Sequence, residues 1–558
     1  LLDPSAAQRM IARAADLAER RPHASDPPRW ILHGIALLGL LLRIAVQSGR
    51  SFGGDELGSL AYLKHDAGYL LTHFEGSLTM NWYLVLLKGL RALFGPSTWV
   101  LVAPSLLAGL ATIYLMHALA RRLFDARSAL LAAALIALSP TFVASSVGLR
   151  SYALFNAFAL ATFLAALAWL ESRRTSTGAL CALAAVLALL AHPNALLPLL
   201  FVGAWVLLDL RHDRRRLAAL AGPMALGALV VFAAYAPLRA DIRAFRAEWT
   251  VSPPAEWDYL PELVRSYFGK SWHAVPALVL LGLGAWSAIR ERSPHARLVL
   301  GILVPFCAAS LLGFSAVSSS YPRFLSAVLP MALLLVVRGA DFLGTRWAPA
   351  RYASLALLLP GWLPQLTGRL EAPEERRLPE LVAFLAQSEP ADVIVIGQSI
   401  ERYLNSETVR ESRGALAAWK RRSAVAPERD LVVVCSGRPL RTEASRHEFG
   451  NLQLVRYTGP DRASRLRSLR ADLLETLAGT PIDADLADHY GALMTVAESL
   501  GDERELWRYT IYYYECFLRT KRLRDVPDKL LSVRTTMSGN DLVKEIMEAT
   551  TPAARMER

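Results

Sequence analysis

Along this chain apolar residues run in long, nearly unbroken blocks, and polar residues are confined to the joints between them. The blocks lie at about 30–47, 98–119, 127–146, 152–170, 178–191, 194–210, 217–238, 273–289, 297–316, 322–338 and 351–367. Most approach the ~20 residues that carry an α-helix across a bilayer core. They predict about eleven transmembrane helices. Continuous apolar runs exclude an outer-membrane barrel, whose strands alternate in polarity. A further apolar block, 81–94, is short for a span, and Asn81, Lys88 and Arg91 recur on one of its faces. It is expected to lie as an amphipathic helix in the outer interface.

The joints set the orientation. Arg9, Arg13, Arg20, Arg21 and Arg29 precede the first block; Arg121, Arg122 and Arg127 follow the second. Later alternate joints carry Arg173 and Arg174, Arg211 and Arg214 to Arg216, Arg290, Arg292 and Arg297, then Arg338, Arg346 and Arg351. All fall on one side if the first helix runs outward, and the positive-inside rule makes that side cytoplasmic. Counting 81–94 as a span would break this alternation. The expected organisation is a basic cytoplasmic arm at 1–29 and a transmembrane domain at 30–369. The latter carries a large first external segment, 48–97, and a second at about 239–272 with Trp249, Trp257, Tyr259, Tyr267 and Trp272. No cleavable signal peptide opens the chain, and the first block is expected to stay as an anchor.

Beyond Glu371 the pattern turns polar. Residues 392–397 and 431–436 have the apolar, β-branched character of buried strands, with helical stretches before and between them. An extracytoplasmic α/β subdomain is expected over 370–460 and a helical one over 461–558, with a helical hairpin at 484–520. The fold class is thus an α-helical polytopic membrane protein with a C-terminal extracytoplasmic α/β plus helical domain.

Composition agrees. Hydrophobic residues make up 53 % and charged residues 20 %, against 45–50 % and about 25 % in soluble domains. A purely soluble enzyme and a disordered chain are excluded. The net charge of +12 is spread over the joints, so no nucleic-acid face forms. Four cysteines exclude a disulfide scaffold and a zinc cluster. Cys181 and Cys307 lie in apolar blocks, whereas Cys435 and Cys516 would both be external, either paired or as separate thiols.

Charged groups beside apolar spans are costly and mark functional candidates. At external helix ends stand Asp55 and Glu56 after Gly53-Gly54, Arg150, His192, and Tyr321 with Arg323. The Gly-Gly-Asp-Glu run is a turn entering a helix, where the dipole keeps a carboxylate ionised. Asp55 is then either a general base or an N-cap. Arg150 and Arg323 are either phosphate ligands or lipid-headgroup contacts.

The order of motifs resembles a known family. An Asp-Glu pair follows the first span, and an aromatic-rich interfacial helix ends Leu93-Phe94-Gly95. A span ends Ala120-Arg121-Arg122-Leu123-Phe124; Ser139-Pro140 and the run Arg150, Tyr152, Ala153, Leu154 follow. Tyr321-Pro322-Arg323-Phe324-Leu325 then precedes a helix with Pro330. Over about residues 30–340 this is similar to the GT-C superfamily of membrane glycosyltransferases. The nearest branches are the protein O-mannosyltransferase-like and lipid A aminoarabinose or galacturonic acid transferase-like ones.

The resemblance implies inverting transfer of a sugar from a polyprenyl-phosphate-linked donor to an extracytoplasmic acceptor (lipid, glycan or protein), in the bacterial inner membrane. It implies that Asp55 is the general base and that Glu56 orients the acceptor or the loop. Arg150 and Arg323 would hold the donor phosphate, with His192 and Tyr321 as further candidates. No cofactor is assigned, and a divalent metal stays open. Where relatives carry a basic residue or His before Pro-Pro, this chain has Thr79-Met80-Asn81-Trp82; where they pair Gln or Arg with Glu, it has Val147-Gly148-Leu149-Arg150. His65, His73 and Glu75 are alternative metal contacts, but their spacing matches no strong metal pattern. The rival of another class is a transporter or lipid flippase, for which no inverted repeat or matching pair of Gly/Pro-broken spans is legible. A non-catalytic scaffold is a third.

Overall fold

The computed structural model describes residues 27–371, 381–396, 430–436, 445–478 and 487–512, apart from short stretches within them that include 53–55, 74–80, 244–258 and 312–321. The arm before residue 27, Asp55, Glu75, Trp249, Trp257, Tyr321 and Cys516 lie outside the described residues.

The apolar blocks fold as helices because their backbone groups must be satisfied within the segment once water is excluded. In chain order these are α1 (Arg29–Gln47), α2 (Ala67–Thr72), α3 (Asn81–Phe94), α4 (Thr98–Leu123), α5 (Ala126–Leu138), α6 (Pro140–Val147), α7 (Tyr152–Ser172), α8 (Thr175–Ala191), α9 (Leu196–Leu210) and α10 (Arg214–Tyr235). There follow α11 (Tyr259–Phe268), α12 (Val275–Arg290), α13 (Leu300–Leu311), α14 (Leu329–Gly344), α15 (Ala348–Ala356) and α16 (Leu359–Glu371).

Among the described residues six helical stretches are long and apolar enough to cross a membrane: Arg29–Gln47, Thr98–Leu123, Tyr152–Ser172, Pro193–Leu210, Ala218–Tyr235 and Leu325–Gly344. Shorter apolar helices run over Thr175–Ala191, Val275–Arg290 and Ala296–Pro305.

Two expected spans are broken instead of continuous. Block 127–146 is the pair α5 and α6, bent by 57°. Pro140 lacks the N–H that a helix would give to Ile136, so α5 stops and Pro140 opens α6. Block 351–367 is the pair α15 and α16, with Pro360 and Gly361 at the start of the second. Pro360 has no N–H for the carbonyl of Ala356, and the end of α15 closes through Leu358 N–H to Leu355 instead.

The main core joins α4, α5, α7, α9, α12 and α14 through residues such as Ile113, Ile136, Phe163, Phe201, Leu280 and Leu334. Two thirds of the apolar window of α7 is buried, whereas none of that of α10 is. The latter helix packs chiefly on α8 and lines the periphery, where lipid replaces protein as its apolar surroundings.

Beyond α16, four strands form one sheet in the order β1-β2-β4-β3: β1 (Asp392–Ile396), β2 (Leu431–Ser436), β3 (Ser445–Phe449) and β4 (Leu452–Tyr457). β1 and β2 are parallel; β4 pairs antiparallel with both β2 and β3. Side chains alternate between faces with the two-residue period of a strand. Val432, Val434 and Leu454 pack on Phe52, Leu60, Leu63, Tyr83 and Leu149 of the transmembrane part. Leu431, Val433 and Val455 pack on α17 (Arg462–Leu477) and α18 (Ala487–Leu500). The sheet is therefore a middle layer seated on the segment between α1 and α4.

Candidate active site

The segment between α1 and α4 is fastened before any functional group is placed. Asn81 Nδ2 donates to the carbonyls of Leu70 and His73, and Lys88 Nζ donates to the carbonyl of Leu63 (3.2 Å). The polar stripe of α3, expected on the water side, thus grips the 63–73 stretch through its open carbonyls. Tyr83, Leu84 and Leu87 are buried beside it.

On this base a buried ionic cluster forms where α6 gives way to α7. Glu56 is buried, and its carboxylate accepts both Nη groups of Arg50, at 3.1 and 2.7 Å. The backbone N–H of Leu149 donates to the same carboxylate at 2.8 Å. Arg50 also reaches the carbonyl of Val147 (3.2 Å). A bidentate guanidinium–carboxylate pair with a further amide donor is a strong arrangement. A Cβ at position 148 would stand 3.3 Å from Glu56 Oε1, so Gly148 lets the turn close on the carboxylate.

The next residue is Arg150, also buried. Its carbonyl accepts from Ser105 Oγ (3.2 Å), which pairs with the Tyr83 hydroxyl (3.1 Å). Its Nη1 lies 3.5 Å from Ser59 Oγ, and its guanidinium carbon is 6.0 Å from the centre of the Tyr152 ring. Burial pushes the Tyr83 phenol well up; the Ser105 hydrogen bond opposes this, Glu56 adds to it and Arg150 opposes it.

His192 is buried after the end of α8. Its ring packs against Tyr152 and Phe155, with centroids 5.3 and 5.6 Å away, and Nδ1 accepts the N–H of Asn194 (3.1 Å). Tyr152 thus lies between Arg150 and His192. Arg323 belongs to the 3₁₀ helix Pro322–Val328. That helix is tied to α7 by the hydrogen bond between Asn156 Nδ2 and Ser326 Oγ (3.0 Å).

The structure accordingly brings Glu56, Arg150 and His192 to one end of the bundle and seats the helix bearing Arg323 against α7. Arg50, Ser59, Tyr83 and Ser105 join them, although sequence reasoning did not select them. Arg50 had a signal of its own: it is a charged residue just beyond the end of the first apolar block. His65 and His73 stack on Tyr69, each with centroids 4.2 Å from it, so the tyrosine separates them. Among the described residues no three His, Cys, Asp or Glu side chains are grouped to hold a metal ion.

Residues 80–239 match the model of the family described as dolichyl-phosphate-mannose-protein mannosyltransferase. Over this segment the chain is similar to that family. The matched segment contains Tyr83, Ser105, Arg150 and His192, and so most of the cluster. No curated protein matches the chain. Similar solved structures include ArnT from Cupriavidus metallidurans in the apo state, at 15 % identity and a TM-score of 0.49, with 76 % of this chain and 97 % of that one covered. The oligosaccharyltransferase of Archaeoglobus fulgidus with zinc and sulfate is similar at 14 % identity and a TM-score of 0.42, covering 73 % of this chain and 68 % of that one. The arabinosyltransferase EmbB from Mycobacterium smegmatis is similar at 19 % identity and a TM-score of 0.42, covering 73 % of this chain and 38 % of that one.

Proposed function

We propose that the protein transfers a sugar, with inversion, from a polyprenyl-phosphate-linked donor to an acceptor at the outer face of the bacterial inner membrane. The observation that carries this is the buried Arg150 beside Glu56, inside the segment matched to a family whose description names a polyprenyl-phosphate sugar as donor. A guanidinium at the end of an apolar helix suits a lipid phosphate, because it matches phosphate geometry and keeps its charge when desolvated. Fixed cations there also stabilise the charge that grows on the phosphate as the sugar leaves.

Asp55 is the proposed general base, taking the proton of the acceptor hydroxyl. Glu56, committed to Arg50 and Leu149, holds the loop that presents it. Arg150 and Arg323 hold the donor phosphate; His192 and Tyr321 shape the same end of the bundle. The sheet packed on the first external segment lies on the side of Glu56 and Arg150, which supports an extracytoplasmic C-terminal region. With eleven spans the chain would end on that side.

The test uses purified protein in mixed micelles with a panel of undecaprenyl-phosphate and dolichyl-phosphate sugars, and follows release of the polyprenyl phosphate. Turnover of one or more donors is expected. Arg150→Ala is expected to weaken donor binding by about 1.5–3 kcal/mol, the scale of a hydrogen bond to a charged group. Unchanged donor affinity would return Arg150 to a lipid-headgroup contact.

A further inference from the structure

A second arginine is buried deeper, inside the transmembrane bundle. Arg43 on α1 is fully buried. An arginine in that position is expensive and needs a structural or chemical reason. Its Nη1 donates to two carbonyls, that of Gly39 on its own helix (2.9 Å) and that of Ala137 on α5 (3.0 Å). Ala137 stands at the C-terminal end of α5, just before the bend at Ser139-Pro140. Carbonyls at a helix end lack the N–H groups of a following turn and carry the negative end of the dipole. Arg43 supplies a donor and a positive charge there.

The seat is made by glycines. A Cβ at Gly39 would lie 3.3 Å from Arg43 Nη1 and 2.8 Å from Ile113 Cδ1. A Cβ at Gly109 on α4 would lie 3.1 Å from Arg43 Nε and 2.1 Å from Ser146 Oγ. Either side chain would displace the guanidinium or its neighbours.

The far end of α6 is gripped from the same direction. Arg50 and Glu56, both beyond the end of α1, hold Val147 through its carbonyl and Leu149 through its N–H. One strand of chain therefore clamps α6 at its bent entry and again at its exit, and the residue after the exit clamp is Arg150. We propose that Arg43 is a positioning residue: by holding the α5–α6 bend it sets where Arg150 and the Glu56–Leu149 contact stand. Its consequence for donor binding rests on Arg150 as a phosphate ligand; its consequence for the Leu149 amide does not.

The two consequences are measured separately. Hydrogen exchange of peptides spanning 147–151 is compared in the wild type, Arg43→Met, Arg43→Lys and the double variant Gly109→Ala with Ser146→Gly, with peptides of α12 and α14 as the internal reference. The methionine variant fills the space but gives Ala137 no donor; its Leu149 amide is expected to exchange about tenfold faster, the scale of one lost hydrogen bond. The reference peptides should not change. Lysine can serve the same carbonyls with its charge, so Arg43→Lys is expected to stay near wild type. If Arg43→Met does not fold, Gly109→Ala decides when made together with Ser146→Gly, which removes the α6 side chain that the new Cβ would also strike, and compared with Ser146→Gly alone; faster exchange at 147–151 in the double variant is again expected.

Wild-type protection of Leu149 in Arg43→Met, or protection equal to that of Ser146→Gly in the double variant where that one decides, overturns the proposal. So does loss of protection in Arg43→Lys equal to that in Arg43→Met. Binding of undecaprenyl phosphate is followed in parallel and is expected to weaken in Arg43→Met about fivefold, again within the range of one hydrogen bond. Faster exchange with no binding even in the wild type leaves the positioning role standing and sinks only the phosphate assignment.

Discussion

Two helix contacts in this protein solve the same problem by opposite means. Where α12 crosses α14, both helices present a glycine: a Cβ at Gly284 would fall 1.9 Å from the carbonyl oxygen of Leu335, and one at Gly339 would fall 2.0 Å from that of Leu280. The backbones touch at the crossing, as small residues allow inside membranes, and an Arg338–Glu291 ion pair ties the end of α12 to α14. Where α1 and its continuation meet α5 and α6, Arg43, Arg50 and Glu56 carry charge into a buried region beside the apolar contact of Val46 with Val143 and Val147. The first solution bears no desolvation cost; the second does. Charge is kept at the end that also holds Arg150, as expected where charge serves chemistry, and again at Asp341 on α14, which pairs with Arg351 and accepts from Ser128.

The contrast predicts that changes on the charged side affect transfer and changes on the glycine side affect stability alone. The largest effect is expected at Asp55. Asp55→Asn keeps size and capping ability but removes the proton acceptor, so transfer should fall by ~10²–10⁴. Donor binding and thermal midpoint should hold; near-normal turnover would make Asp55 a cap and move the search for the base to Glu56 and Glu75.

Next comes Glu56→Ala, which leaves Arg50 without its carboxylate. A loss of about 3 kcal/mol is expected, at the low end for a broken buried pair because Arg50 keeps some water. Chemical unfolding in mixed micelles measures it, and Glu56→Gln should be milder in both stability and transfer.

On the glycine side, Gly339→Ala is expected to cost about 1–3 kcal/mol by overpacking. Turnover per folded molecule should stay at the wild-type level, and a selective loss of transfer there would erase the distinction. The smallest effect is expected from Tyr83→Phe, which removes one hydroxyl facing Ser105 and costs about 0.5–1.5 kcal/mol, read from the same unfolding curves.

Much of the architecture is legible without coordinates. Helix runs such as α1, α4 and α7 are dictated by the apolar length of their segments, because a bilayer leaves the backbone no other way to bond. The broken spans were legible in part: Pro140 and Pro360 announce their breaks, but apolar composition continues through both and hides them from a count of blocks. β1 and β2 are plain as apolar β-branched runs, whereas β3 and β4 carry Arg446, His447, Glu448, Gln453 and Arg456 and lose that signal.

Glu56, Arg150 and His192 stand out in the sequence as charged or titratable groups at helix ends, since hydrophobicity marks depth, and the arginine count an expected side, for each residue locally. Their mutual contacts are another matter. That Glu56 takes Arg50 and the Leu149 amide, that Tyr83 reaches Arg150 through Ser105, and that Arg43 closes a helix on a different part of the chain depend on which helices become neighbours. No local pattern encodes such pairings, because, Arg50 and Glu56 apart, the partners are far from each other in the chain and meet only when the bundle packs.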